Sequence, residues 1–150
     1  MRPNIWLGTS VENQEQADKR IPELLKCRDL SPVLFLSCEP LLEPVTLFED
    51  RECLLRGPAV VESSSVSVGT PYDPAEYFDD SYSGIDWIIA GGESGKDFRP
   101  MQTGWVQSLH DQCKFASVPF FCKQGSGPKP GQQYDLPDHL FNVKEFPCPS

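Results

Sequence analysis

Four short apolar runs punctuate this chain, at residues 5–9, 33–37, 87–90 and 118–122, and each leads into small or polar residues. Runs of this length without strict alternation predict parallel strands covered on both faces. Helical periodicity lies between them. Asn13 is placed to cap a helix with Gln16 at the reciprocal capping position, and Pro22 suits the first turn of a second short helix carrying Leu24 and Leu25. Trp105, Leu109, Cys113 and Ala116 recur at helical spacing behind Thr103, a fitting cap. Strands alternating with helices predict an α/β fold, either a partial (β/α) barrel or an open, mostly parallel sheet with an irregular insertion.

The pattern breaks in three places. After Glu39-Pro40 the chain leaves regular pairing, and Leu41, Leu42, Val45, Leu47 and Phe48 are expected as a loop or short helical turn packed on the rim. Residues 49–84 read as an insertion or small hairpin subdomain, with Val60-Val61 and Val66-Ser67-Val68 as short strands, because ordinary connections are much shorter. Residues 125–150 read as a packed tail whose Leu136, Leu140, Phe141, Val143 and Phe146 cover exposed core. The whole of residues 1–150 is then a single α/β domain, a length that suits one ordinary hydrophobic core.

Charge narrows the function classes. With 13 Lys and Arg against 22 Asp and Glu, the formal net charge is −9, and no basic tract follows a phosphate backbone, so nucleic-acid binding is disfavoured. No stretch approaches the roughly 20 apolar residues of a membrane helix, and residues 1–4 run into a strand instead of a signal peptide, which makes a cytoplasmic location the expectation. The six cysteines are scattered, with no pair at the spacing of a zinc knuckle or dithiol, and read mainly as small buried hydrophobes. His110 and His139 alone do not suggest a metal site.

Candidate chemistry gathers where the strands end. Glu12, Glu39 and Glu93 each follow an apolar run and small residues, and Lys123 follows the fourth run. In α/β proteins such ends converge on one rim. These four side chains are therefore expected to face one ligand pocket, with Gly8, Gly91 and Gly92 allowing close approach. The competing expectation is separation, with Glu93 held by Arg99, Lys123 in solvent, and the glycines serving close packing. Ser10, Ser37 and Ser94 could add hydroxyl contacts. Gly91-Gly92-Glu93-Ser94-Gly95 lacks the dinucleotide fingerprint and is followed by no Walker lysine. Asp86 reads as a strand-start residue and not as a catalyst.

Taken together, Asn4-Ile5-Trp6-Leu7-Gly8-Thr9-Ser10-Val11-Glu12-Asn13-Gln14, Phe35-Leu36-Ser37-Cys38-Glu39-Pro40-Leu41-Leu42, Ile85-Asp86-Trp87-Ile88-Ile89-Ala90-Gly91-Gly92-Glu93-Ser94-Gly95, Arg99-Pro100-Met101 and Pro119-Phe120-Phe121-Cys122-Lys123-Gln124 resemble the C-terminal half of an uncharacterised phage-associated family related to radical SAM enzymes. The resemblance implies a partial barrel. It also implies that the N-terminal half of full-length members supplies the cysteines of an iron–sulfur cluster and the first part of the S-adenosylmethionine (SAM) site. Nothing equivalent precedes Ile5 here. The expectation is a non-autonomous half-barrel with a retained ligand- or partner-binding rim. It holds no cofactor alone, takes SAM only with a complementary partner, and associates with itself or with a second protein. The alternatives are a small acidic protein-interaction module, motivated by Tyr72, Tyr77, Phe78 and Tyr82 among acidic residues, and a split-enzyme subunit.

Overall fold

The computed structural model describes residues 4–49, 52–56 and 84–148. In chain order it contains β1 (Leu7–Ser10), α1 (Gln14–Leu25), β2 (Leu34–Cys38), β3 (Phe48–Glu49), β4 (Glu52–Cys53), β5 (Trp87–Gly91), α2 (Thr103–Phe115), β6 (Phe120–Gln124) and the single turn α3 (Asp138–Phe141). β1, β2, β5 and β6 form one four-stranded sheet in that order, every pair parallel. β3 and β4 pair as a separate antiparallel hairpin. The fold is α/β, and the sheet does not close into a barrel. Most of the expected insertion at residues 49–84, including both expected short strands and the tyrosine-rich segment, lies outside the described residues.

Strand order explains the layering. Each strand joins the sheet beside its predecessor, so there is no reversal of the kind that defines a doubly wound sheet. One face carries Leu34, Leu36, Cys38, Ile88, Ala90, Phe120 and Cys122, all buried in one core with Ala17, Ile21 and Leu24 of α1 and Val106, Leu109 and Cys113 of α2. Alternation sends Phe35, Ser37, Ile89 and Phe121 to the opposite face, where they are only half-buried. Among the described residues, neither long helix covers this open face. The expectation of a first strand covered on both sides fails accordingly: Gly8 and Ser10 are exposed, because β1 is a sheet edge and its outward residues lie on the open face.

α1 starts as expected, with the Asn13 side chain accepting from the Gln16 amide at 3.0 Å. It then differs, since one helix runs through Pro22 to Leu25 in place of two. The buried stripe Ala17, Ile21 and Leu24 spans the proline at helical spacing, and its packing outweighs the local cost of a missing amide. α2 begins at Thr103 with Gln102 as the capping position, one residue earlier than the sequence suggests.

The tail packs on the sheet. Leu136 and Leu140 enter the core, and beyond them the Cys122 amide donates to the Val143 carbonyl at 2.9 Å while the Glu145 amide donates to Phe120 at 3.0 Å. These bonds lay residues 143–145 along the outer edge of β6. Phe146 then turns onto the open face, with its ring centroid 5.3 Å from both Trp87 and Phe121. The edge of β1 has no such cover among the described residues.

Four of the six cysteines, Cys38, Cys53, Cys113 and Cys122, are buried, Cys27 is half-buried and Cys148 exposed. A thiol reagent applied to the native chain should label Cys27 and Cys148 and spare the other four until denaturant is added, as counted by mass spectrometry. Fast labelling of Cys38 under native conditions would contradict this packing.

Candidate functional site

Parallel register brings the strand ends together on one rim. The Leu42 amide donates to the Glu12 carbonyl, the Leu41 amide to Gly91, and the Gly92 amide to Gln124, each at 2.9 Å. The loop after Glu39 thus crosses from the end of β1 to the end of β5, and the end of β5 is tied to β6.

The charges on that rim are divided into separate pairs. Lys123 Nζ lies 2.9 Å from Glu39 Oε2, both residues belonging to the open face. Glu12 is held by Arg20 of α1, whose Nη1 is 3.1 Å from Oε2 and also donates to the Ser10 carbonyl at 2.7 Å. Glu93 takes the Arg99 guanidinium at 2.8 and 2.7 Å and the Arg99 backbone amide at 2.7 Å. Of the four expected charges, the structure therefore couples Glu39 with Lys123, and gives Glu12 and Glu93 cations of their own. The Glu93–Arg99 pair is the one anticipated as the competing arrangement. Sequence reading missed Arg20, although its position eight residues after Glu12 on an adjoining helix was the available signal.

The glycines divide in the same way. A Cβ on Gly91 would sit 2.9 Å from Glu39 Oε1, so glycine gives the carboxylate its place over β5. The space beside Gly92 is filled by Ser126 and the Gly125 backbone, and that beside Gly8 by the Phe35 ring. Close approach at Gly92 is thus made by the chain itself. Ser126 in turn accepts from the Met101 amide at 2.9 Å, which anchors the return of the loop after Glu93.

The two carboxylates differ in how their oxygens are satisfied. Hydrogen bonds from the Arg99 side chain, and then from its backbone amide, hold the Glu93 carboxyl down to about 2. The Glu93–Arg99 pair ties down the turn that leaves β5. Glu39 is different: its Oε1 is buried and has no hydrogen-bond partner among the described residues. An unpaired buried acceptor is a costly feature, and in native proteins it calls for a specific reason.

The Glu93 pair carries a pH signature. A carboxyl whose folded pKa is depressed stabilises the fold above its unfolded value of about 4.3, and that contribution is lost as pH falls toward the folded value. Urea midpoints of the native chain and of Glu93→Gln should therefore differ most above pH 5 and converge as pH approaches 2, the folded value being about 2. A gap that stays constant over this range would show that Glu93 carries no depressed pKa.

Among the described residues the thiols are not gathered into one cluster. No group of three or more His, Cys, Asp or Glu side chains able to hold a metal occurs among the described residues. Burial, with Glu39 and Glu12 adding to it, pushes the Cys38 thiol up to about 12, and burial pushes Cys122 up to about 11. Among the described residues no helix is long and apolar enough to cross a membrane.

Residues 1–135 match the family described as Protein of unknown function (DUF5131). The chain belongs to that family. No curated protein and no solved structure matches it. For this DUF5131 member the open face and its Glu39–Lys123 rim are the features that a functional reading has to explain.

Proposed function

We propose that this chain is the C-terminal half of a radical-SAM-like barrel related to phage-associated proteins: a non-autonomous unit with a ligand- or partner-binding rim that performs no radical chemistry alone. The observation that supports it most is the sheet, whose strands follow one another without reversal in the order β1-β2-β5-β6 and whose long helices pack on one face. A (β/α) barrel is built by that progression, with the face opposite the helices turned inward. In this reading Phe35, Ser37, Ile89 and Phe121 are interior positions awaiting the rest of the barrel. Among the described residues no set of three cysteines is gathered in one place, which supports assigning the thiolates and the radical step to the complementary part.

The two sheet edges are not equivalent, and this directs the reading toward a second polypeptide. Residues 143–145 lie along the outer edge of β6, which favours strands added beside β1 over a ring of two copies joined β1 to β6. The added strands belong beside β1.

Anaerobic iron–sulfur reconstitution of the isolated chain tests the proposal. It should yield neither stoichiometric iron and sulfide nor cluster absorbance. A stable four-iron, four-sulfur cluster on this chain alone would overturn it.

A further inference from the structure

Residues 143–148 form a strap along β6, held by contacts of a different kind from those of the core. The family match ends at residue 135, so the strap lies outside the matched region. None of residues 142–148 is buried, and Phe146 stays 58% exposed. What holds the strap is the outward row of polar groups on β6. The Cys122 amide donates to the Val143 carbonyl at 2.9 Å, and the Phe120 carbonyl accepts from the Glu145 amide at 3.0 Å. The other two groups meet side chains: the Phe120 amide donates to the Glu145 carboxylate at 2.9 Å, and the Cys122 carbonyl accepts from Lys144 Nζ. Lys144 also lies 4.9 Å and 4.3 Å from the ring centroids of Phe121 and Phe141. The Trp87 indole N–H donates to the Glu145 carbonyl at 3.0 Å, and the Phe146 ring rests on Trp87 and Phe121.

We propose that the outer edge of β6 is an acceptor for an extended peptide of another polypeptide, and that the strap fills this acceptor from within the chain until such a segment displaces it. Strand addition of this kind takes its affinity from main-chain hydrogen bonds and its specificity from side chains at fixed positions. The strap shows what the edge selects: an apolar residue, then a base, an acid and an aromatic, as in Val143-Lys144-Glu145-Phe146. The base serves the Cys122 carbonyl, the acid serves the Phe120 amide, and the aromatic covers Trp87 and Phe121. A segment with so little buried apolar surface opens without the rest of the fold. An incoming peptide of the same order replaces each bond that it breaks, so the exchange leaves no polar group of the edge unpaired. The strap also guards the edge, since an open row of strand groups invites unwanted pairing. The inference does not rest on the half-barrel reading, which adds its strands beside β1 at the opposite edge.

The test uses the full chain carrying Glu145→Pro, which removes the amide donor and the carboxylate together while altering no buried side chain. The nitrogen-15-labelled variant is titrated with a synthetic peptide of residues 142–147. Saturable shifts are expected at the Cys122 amide and the Trp87 indole N–H. The same peptide carrying Lys144→Ala and Phe146→Ala should bind at least tenfold more weakly. So should the native chain bind the unaltered peptide, because its tethered strap competes at an effective concentration on the order of mM. Phe146→Ser, which loosens the strap without touching its backbone, should bind with intermediate affinity and keeps the test decisive should the proline variant fail to fold. Absence of saturable shifts in both variants, equal binding of the substituted peptide, or dimerisation of Glu145→Pro that the peptide does not reverse would overturn the assignment. The last of these would make a second copy of the chain the occupant.

Discussion

Alanine at Gly92 should destabilise the chain by about 3 kcal/mol, near the upper end of ordinary overpacking penalties. The added Cβ would lie 2.3 Å from Ser126 Oγ, 2.4 Å from the Ser126 backbone nitrogen and 2.7 Å from the Gly125 carbonyl carbon. Two of these atoms are backbone, so no side-chain rotation makes room. Relief requires moving the end of β5 away from β6, against the 2.9 Å bond from the Gly92 amide to Gln124 and the return bond from Gln124 Nε2 to the Gly92 carbonyl at 2.8 Å. Domains of this size are stable by only about 5–15 kcal/mol, so the shift in urea midpoint should be large. Gly104→Ala provides the control: among the described residues nothing lies within 4 Å of its Cβ position, and a helical alanine should be neutral or stabilising by up to about 1 kcal/mol. Equal midpoints for Gly92→Ala and the native chain would refute the packing described for this turn.

A comparable loss is expected at the other end of β5. Asp86 Oδ2 accepts from the Leu34 amide at 2.7 Å and stands 2.7 Å from Arg28 Nη1, with both side chains mostly buried. Its backbone amide donates to the Leu34 carbonyl at 2.8 Å, so this one residue ties the starts of β2 and β5 together. Asp86→Ala leaves the Leu34 amide without its acceptor and removes a sheltered ion pair, at a combined cost of about 3 kcal/mol. Asp86→Asn retains an acceptor for Leu34 and should lose about half as much. Chemical denaturation of the three proteins at neutral pH measures both, and equal losses for Ala and Asn would contradict the division between hydrogen bond and charge.

How much of this was legible beforehand depended on how local the determining interaction is. The parallel strands were visible because Val33, Leu34 and Leu36, or Ile88 and Ala90, carry their burial in their own composition. α1 was cut in two because Pro22 is a strong local breaker, whereas the stripe that overrides it gains its energy from the sheet. The two-sided cover expected for β1 failed for a similar reason: apolar character does not reveal that a strand will be an edge. At the rim, the sequence located Glu12, Glu39, Glu93 and Lys123 but could not assign their partners, since Lys123 meets Glu39 across 84 residues of chain. The Glu93–Arg99 pair was readable because it closes within one short turn. Asp86 was correctly placed as a strand-start residue, while its contacts to Leu34 and Arg28 are set by strand order.

Under the proposed function, the open face and the edge of β1 are completed by further strands from a complementary polypeptide. The most direct measurement is the mass, by light scattering under anaerobic conditions, of this chain mixed with a separately expressed N-terminal half from a full-length member of the family it resembles. A one-to-one complex is expected, which accepts an iron–sulfur cluster on reconstitution and is lost when Phe35→Glu places a charge on the open face. Two species of unchanged mass, or a complex equally stable with Phe35→Glu, would contradict it.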